Sequence, residues 1–358
     1  MADISLLIFH LVLSNYTYKG VDLSMARKIL DWNMRRYPEG VFCLFAKGRI
    51  LVCQSRPDLA VGYYERMMEN CQIEFRSLRN ISLWELSLCS LSLYDMDMGV
   101  TKWKKLQADA NWSKCAYTYA YAVCLYERGH DEDLREAEKL MSRIQGLMQR
   151  IASKTIPLEK YAARKAAKFA TQGNRLMLPA LELGYHFLCI TRAPRGVLVR
   201  KMLPAIEAAR TKVLEHIDSL TTYYDGRYYW DDYCLVHFLH AVCLRYIAHA
   251  DPDAMKDSDL ADPLPENAEK RAFDSFQKVI ENGAGIEIDH WIVYYAHYEL
   301  GRLYACIGDI KEAQKHLEMI HSGNVVVHKP EKGKYSLEST LIMRTHAAME
   351  SLVDGQPL

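Results

Sequence analysis

Small residues return along this chain at a fixed interval, and the interval dictates helices in pairs. Gly48 precedes Ala60 by twelve residues, and Tyr64 and Met67 follow that alanine at plus four and plus seven. Near the C-terminus Gly301, Ala313, Leu317 and Ile320 repeat the same intervals. A glycine in one helix and an alanine in the next let two axes come close, and large apolar side chains four and seven residues on share a helical face and close the seam. The spacing therefore predicts a helical hairpin, used more than once. Ala26 and Leu30 open an earlier copy, and Pro38, twelve residues past the alanine, stops its second helix because it has no N–H for a further turn. Ala26 to Ala60 is 34 residues, one full period.

Further copies follow the same phase. One has Gly99 and Trp103 in place of Ala and Tyr, after a lengthened first helix around Trp84 to Tyr94. Another runs from Tyr117 to Glu127, turns at Gly129, and continues with Ala137, Met141 and Ile144. Between Pro157 and Leu220 the period fades while helical patterning persists, as in EKYAARKAAKFA and VRKMLPAIEAARTKVLEHI. The period resumes with an aromatic helix from Tyr228 to His249, an Asp- and Pro-rich insertion loop from Asp251 to Pro265, and Ala272, Phe276 and Val279 beyond it. Tyr335 to Leu352 is expected as a terminal helix that covers the last unit. A unit of about 34 residues made of two helices is that of the tetratricopeptide repeats. The expected fold is all-α, a helix-hairpin solenoid or alpha-alpha superhelix with longer bridging helices. Its expected parts are residues 1–150 with about four hairpins, 151–220 as bridging helices, and 221–358 with the C-terminal hairpins, the insertion loop at 250–266 and the capping helix at 335–352. Strand signals are scarce, and Val325 to Val327 is the one β-branched run of note.

Composition excludes several classes. Forty-five basic residues balance 45 acidic ones, so no net field draws the chain to nucleic acid, and none is expected as a partner. Half of the residues are apolar, ample for a large core. The ten cysteines show no CxxC, and several sit inside apolar helical stretches, as reduced thiols do. The apolar run from Leu6 to Leu13 is too short to span a bilayer and lacks the marks of a secretory signal. A cytoplasmic protein without a transmembrane segment is expected. No Gly-rich phosphate loop, GxSxG or HExxH occurs, so neither catalysis nor a cofactor is expected. Cys234, His237, His240 and Cys243 follow at intervals of three on one helix, but that spacing turns the outer pair to opposite sides, so one tetrahedral ion cannot take all four. A buried structural role is the simpler reading. The adjacent pair Asp231 and Asp232 reads as turn or helix-cap carboxylates.

Several stretches, in order, carry a more specific likeness: YPEGVFCLFAKGRI, WSKCAYTYAYAV, ASKTIPLEKYAARKA, HYELGRLY and YSLESTLIMRTHAA. Over nearly the whole chain, including the non-repeat stretch from Ile156 to Ala163, the sequence resembles the tetratricopeptide repeat protein 39 family, which includes fungal proteins linked to inclusion-body clearance. The resemblance implies a non-enzymatic scaffold or adaptor with roles in protein quality control and lipid-related regulation. It implies a place in the cytosol, the nucleus or at the outer mitochondrial surface. It also implies a further N-terminal block of about a domain's length in family members, which would cover the helix from Leu6 to Leu13.

In such arrays positions two, five, nine and twelve of each first helix line the concave face that holds ligands. Counted from Val41 they are Phe42, Phe45, Arg49 and Val52, and counted from Tyr294 they are Tyr295, Tyr298, Arg302 and Ala305. Two distant units thus share an aromatic, aromatic, arginine pattern, the residue types enriched in binding hot spots. The expected site for a protein or peptide client is Phe42, Phe45, Arg49, Tyr295, Tyr298 and Arg302, against the plainer reading that these side chains pack on neighbouring helices. A second expectation concerns Lys160, Arg164, Lys165 and Lys168, which fall largely on one helical face and would suit an anionic lipid surface, against the plainer reading of a solvated face.

Overall fold

A computed structural model of the chain describes residues 2–13, 21–71, 76–109, 112–151, 154–224, 227–255, 264–323, 325, 335–356 and 358. Contacts divide the chain into two units, Met1–Gln149 with Leu183–Val197 and Asp251–Ala261, and Arg150–Glu182 with Leu198–Ala250 and Asp262–Leu358.

The first unit opens with α1 (Ala2–Ile8), a π-helical turn (Phe9–Leu13) and α2 (Leu23–Met34). Asp22 caps α2 by accepting from the Met25 N–H at 2.8 Å, which satisfies one of the free donors at the helix start. Three hairpins follow: α3 (Val41–Cys53) with α4 (Pro57–Asn70), α5 (Arg76–Ser92) with α6 (Met96–Asp109), and α7 (Lys114–Arg128) with α8 (Asp131–Arg143). Each packs within itself and on its neighbour in sequence, which is the contact pattern of a repeat array. Pro57 starts α4 where its missing N–H costs nothing, and Gly129 ends α7 at φ +78°, a left-handed conformation suited to glycine.

The periodic small residues do what their spacing requires. Ala26, Ala60 and Ala137 are fully buried, as are Tyr64 and Trp103 at the bulky positions. A Cβ on Gly48 would stand 2.6 Å from the Tyr64 ring, so only glycine admits that ring at this seam.

The second unit contains a two-residue antiparallel strand pair, β1 (Arg150–Ile151) with β2 (Lys154–Thr155), which the sequence pattern did not announce. Its helices are α9 (Pro157–Thr171), the first turn of α10 (Pro179–His186), a π-helical turn (Leu198–Met202) that follows the short α11 (Arg195–Val197), and α12 (Leu203–Leu214). Then come α13 (Tyr229–Ala248) with α14 (Ala268–Asn282), α15 (Trp291–Cys306) with α16 (Ile310–His321), and α17 (Glu338–Val353). Almost every residue of α13 is buried, so this helix forms the unit's core. Ala272, Phe276, Val279, Ala313 and Leu317 are fully buried, in the phase set by the sequence. The terminal helix α17 packs on α15 and α16.

The centre of the expected insertion loop, residues 256–263, and Val326 and Val327 lie outside the described residues. Among the described residues no helix is long and apolar enough to cross a membrane.

Candidate functional site

The two aromatic, aromatic, arginine patterns occupy equivalent places on α3 and α15, yet their surroundings differ. On α3, Phe42 is 45% exposed and Phe45 half-buried, its ring 6.0 Å from that of Tyr64. Arg49 turns inward. Its Nε and Nη2 donate to the Leu11 carbonyl at 3.0 and 2.8 Å, and Nη1 donates to Glu85 Oε2 at 2.7 Å. Burial would lower the guanidinium pKa, but the Glu85 charge beside it more than offsets this and holds it above the usual arginine value. Arg49 therefore ties α3 to the N-terminal turn and to α5.

On α15 the expected surface residues are interior. Tyr295 is fully buried and donates to the Leu337 carbonyl at 3.1 Å. Tyr298 is buried too, with the Arg302 guanidinium 5.6 Å from its ring centre. Arg302 donates to the Tyr246 hydroxyl at 2.9 Å and to Glu299 at 3.5 Å, and Arg245 donates to the same Glu299 oxygen at 3.3 Å. Glu299 is thus the shared counter-charge of two buried guanidiniums, and its removal would leave both without that carboxylate. The expectation that Tyr295, Tyr298 and Arg302 present a gripping surface is corrected accordingly. They are enclosed by α13 and α17, and only Phe42, with Phe45 in part, stays accessible.

The basic face on α9 is corrected in the same way. Lys160 and Arg164 are exposed, and Arg164 donates to Ser336 Oγ at 3.0 Å. Lys165 and Lys168 are buried and anchor a cluster of charges. Lys165 Nζ lies 2.7 Å from Glu182 and 3.0 Å from Asp289, and Lys168 Nζ lies 2.6 Å from Asp289 and 3.5 Å from Asp231. Arg175 and the Tyr223 hydroxyl both reach Asp232. Asp231 accepts the backbone N–H groups of Glu287, Ile288 and Asp289 at 2.8 to 3.0 Å, which pins the turn leading into α15. Burial would raise Asp289 and lower both lysines, but their mutual attraction more than offsets it. Asp289 is held below the carboxylate range, and Lys165 and Lys168 above the lysine range. For Glu182 and Asp231 burial wins and their carboxyls are pushed up. Half of the charges proposed for a lipid surface thus work inside the second unit. The signal in the sequence was the pair Asp231 and Asp232, which reads as a cap but serves as a counter-charge.

The four residues at intervals of three on α13 are all buried. His240 Nδ1 shares a hydrogen bond with Ser275 Oγ at 2.7 Å, and the Cys243 thiol faces the Leu198 carbonyl at 3.8 Å. Burial pushes His237 and His240 down to about 3, so both are neutral.

Large apolar side chains do reach the surface of the first unit within one short stretch. Trp32 at the end of α2 is 56% exposed and Tyr37 in the following turn 62%, ahead of Phe42 at the start of α3. Arg36 lies over the Trp32 ring at 5.1 Å.

Successive hairpins locked by small-to-bulky seams, with exposed aromatics at one turn, define a helical-repeat protein of the tetratricopeptide kind. The chain belongs to the Iml2/Tetratricopeptide repeat protein 39 family, whose model matches residues 1–247. Among curated proteins it is similar to "Tetratricopeptide repeat protein ttc-39B" of Caenorhabditis elegans, 26% identical over 366 residues, covering 100% of this chain and 56% of that protein. It is also similar to "Inclusion body clearance protein IML2" of Schizosaccharomyces pombe (strain 972 / ATCC 24843), 25% identical over 154 residues, covering 41% of this chain and 27% of that protein. The chain thus spans at most 56% of the length of these relatives.

Proposed function

We propose that this chain is a protein-interaction scaffold that holds a client protein, and that it serves inclusion-body clearance, as the name of its fission yeast relative states for that protein. The observation that carries the reading is the group Trp32, Tyr37 and Phe42, three large aromatic side chains about half exposed within eleven residues around the turn between α2 and α3. Tryptophan, tyrosine and arginine are enriched among the residues that dominate binding energy, and the two aromatics bury large area at low entropic cost. Two arginines, Arg35 and Arg36, flank them in sequence.

The test substitutes Trp32→Ala, Tyr37→Ala and Phe42→Ala together in the full chain and compares its stable protein partners in cell extract with those of the unsubstituted chain. The expected result is loss of partners with an unchanged melting temperature. An unaltered partner set would remove this site.

A further inference from the structure

The first unit contains a segment from much later in the chain, residues 183–197. The sequence pattern reads it as helix, but α10 stops at His186 and a run of turns follows. Its side chains lie on positions that a client would use. Counting α5 in the phase set by Gly99, position five is Trp84 and position twelve is Leu91. The Phe187 ring meets Trp84 edge-on at 5.2 Å and stacks on Trp103 at 6.4 Å. A Cβ on Gly184 would touch the Leu91 Cβ at 4.0 Å, and the Cys189 thiol is hydrogen-bonded with Ser92. Farther on, Arg192 Nη1 donates to the Cys53 carbonyl at 3.0 Å, at the C-terminal end of α3 where the helix dipole favours a cation, and to Asp251 at 2.9 Å.

This arrangement is that of an aromatic and cationic ligand seated on a receptor. The segment's own main-chain bonds close within it. Phe187, Leu188, Cys189, Arg192 and Ala193 donate to the carbonyls of Leu183, Tyr185, Gly184, Leu188 and Ile190. It keeps its internal shape without backbone pairing of these amides to the hairpins. Leu188 sits at φ +64°, the left-handed position just past the end of α10, and the Cys189 N–H closes on the Gly184 carbonyl across it at 2.7 Å, so the bend belongs to the segment itself and not to the hairpins it lies on.

We propose that residues 183–197 are a displaceable strap occupying the client face of the first unit, and that this face accepts in trans a peptide carrying an aromatic side chain with an arginine five residues further on. The inference rests on the reading of the array as a holder of proteins, and it adds where a second client segment binds and what holds that place closed.

The probe is a fluorescent peptide of residues 183–197 added to the full chain bearing Phe187→Ala and Arg192→Ala. Polarisation is expected to show binding at least about tenfold tighter to the folded double variant than to the unsubstituted chain, and none for a peptide lacking both side chains. A double variant that keeps its circular dichroism yet binds no better than the unsubstituted chain overturns the proposal. Should the double variant fail to fold, hydrogen exchange on the unsubstituted chain decides. Amides of residues 187–193 are expected to exchange at least about tenfold faster than those buried in α5, and equal rates overturn the strap. No client enters either measurement, so the outcome is independent of whether the turn at Trp32 to Phe42 binds anything.

Discussion

The hairpins α3/α4 and α15/α16 follow one sequence rule and end in opposite states. Every key position corresponds at an offset of 253: Gly48 with Gly301, Arg49 with Arg302, Ala60 with Ala313, and Met67 with Ile320. Yet Phe42 faces solvent while its counterpart Tyr295 is fully buried. The difference lies in what flanks each hairpin. In the second unit α13, buried almost throughout, and the capping helix α17 both pack on α15. In the first, α3 meets α2 and the short N-terminal turn, and Arg49 reaches the Leu11 carbonyl in that turn. A repeat motif fixes how two helices meet, and the neighbours decide whether its outer face is surface or core.

The comparison is broken most severely through charge. Glu299→Ala leaves Arg245 and Arg302, both buried, without their shared carboxylate, and is expected to cost about 3–5 kcal/mol. Glu85→Ala in the first unit leaves Arg49 its two bonds to the Leu11 carbonyl, so the loss is expected nearer about 1.5–3 kcal/mol. Urea denaturation of the two variants measures the gap. Equal losses would mean that the second arginine is as well served as the first.

Acid separates the two hairpins next. His297 on α15 pairs Nδ1 to Nδ1 with His316 at 2.9 Å, and burial pushes it down to about 4. The corresponding residue on α3 is Leu44. A histidine whose folded pKa lies below its unfolded one takes up its proton only on unfolding. The stability it permits is full above about pH 6.5 and drains away as the pH falls toward about 4. At pH 5 the loss is about 2 kcal/mol for this one group. The raised carboxyls of Glu182 and Asp231 act with the opposite sign, since they bind protons earlier folded than unfolded. Denaturation at pH 7.5 and pH 5 should show a difference that His297→Leu shrinks by about that amount. An unchanged pH dependence in His297→Leu would remove the histidine from the account.

How much of this was legible follows from which contacts are local. The seams of Gly48 with Tyr64 and of Gly301 with Leu317 close within one hairpin, so the sequence interval determines them. Exposure of the outer face does not close locally. Lys165 meets Asp289 across 124 residues and Lys168 meets Asp231 across 63, distances over which a helical period carries no information. Periodicity grouped Lys160, Arg164, Lys165 and Lys168 on one face, whereas the first two are exposed and the last two buried, and it left open what stands opposite them. The strap escaped for a related reason, because LELGYHFLCI has helical composition and its contacts with Trp84 and the Cys53 carbonyl lie far earlier in the chain.

The seams themselves offer a smaller contrast. Gly48→Ala puts a methyl 2.6 Å from the Tyr64 ring, which must move inside a filled core. Set against the ~1 kcal/mol that alanine gains over glycine in a helix, a net loss of about 1 kcal/mol is expected. At Gly301 the new carbon would meet the Ala313 carbonyl and Leu317 at 3.2 Å, a contact that small shifts relieve, and the expected change is within about 0.5 kcal/mol of zero. If Gly301→Ala proves the more damaging, the tighter seam is in the second unit.

The smallest effect on stability falls where the two patterns diverge most. Phe42 gives nearly half of its surface to solvent, so Phe42→Ala removes little buried area and is expected to shift the denaturation midpoint by less than about 0.5 kcal/mol equivalent. Tyr295→Ala at the matching position opens a cavity in a filled core and removes the hydroxyl that binds the Leu337 carbonyl, which is expected to cost about 3–5 kcal/mol. Denaturation curves for the pair measure the contrast directly. A cost at Phe42 approaching that at Tyr295 would mean that its ring packs as core, and the exposed aromatic turn would lose one of its three members.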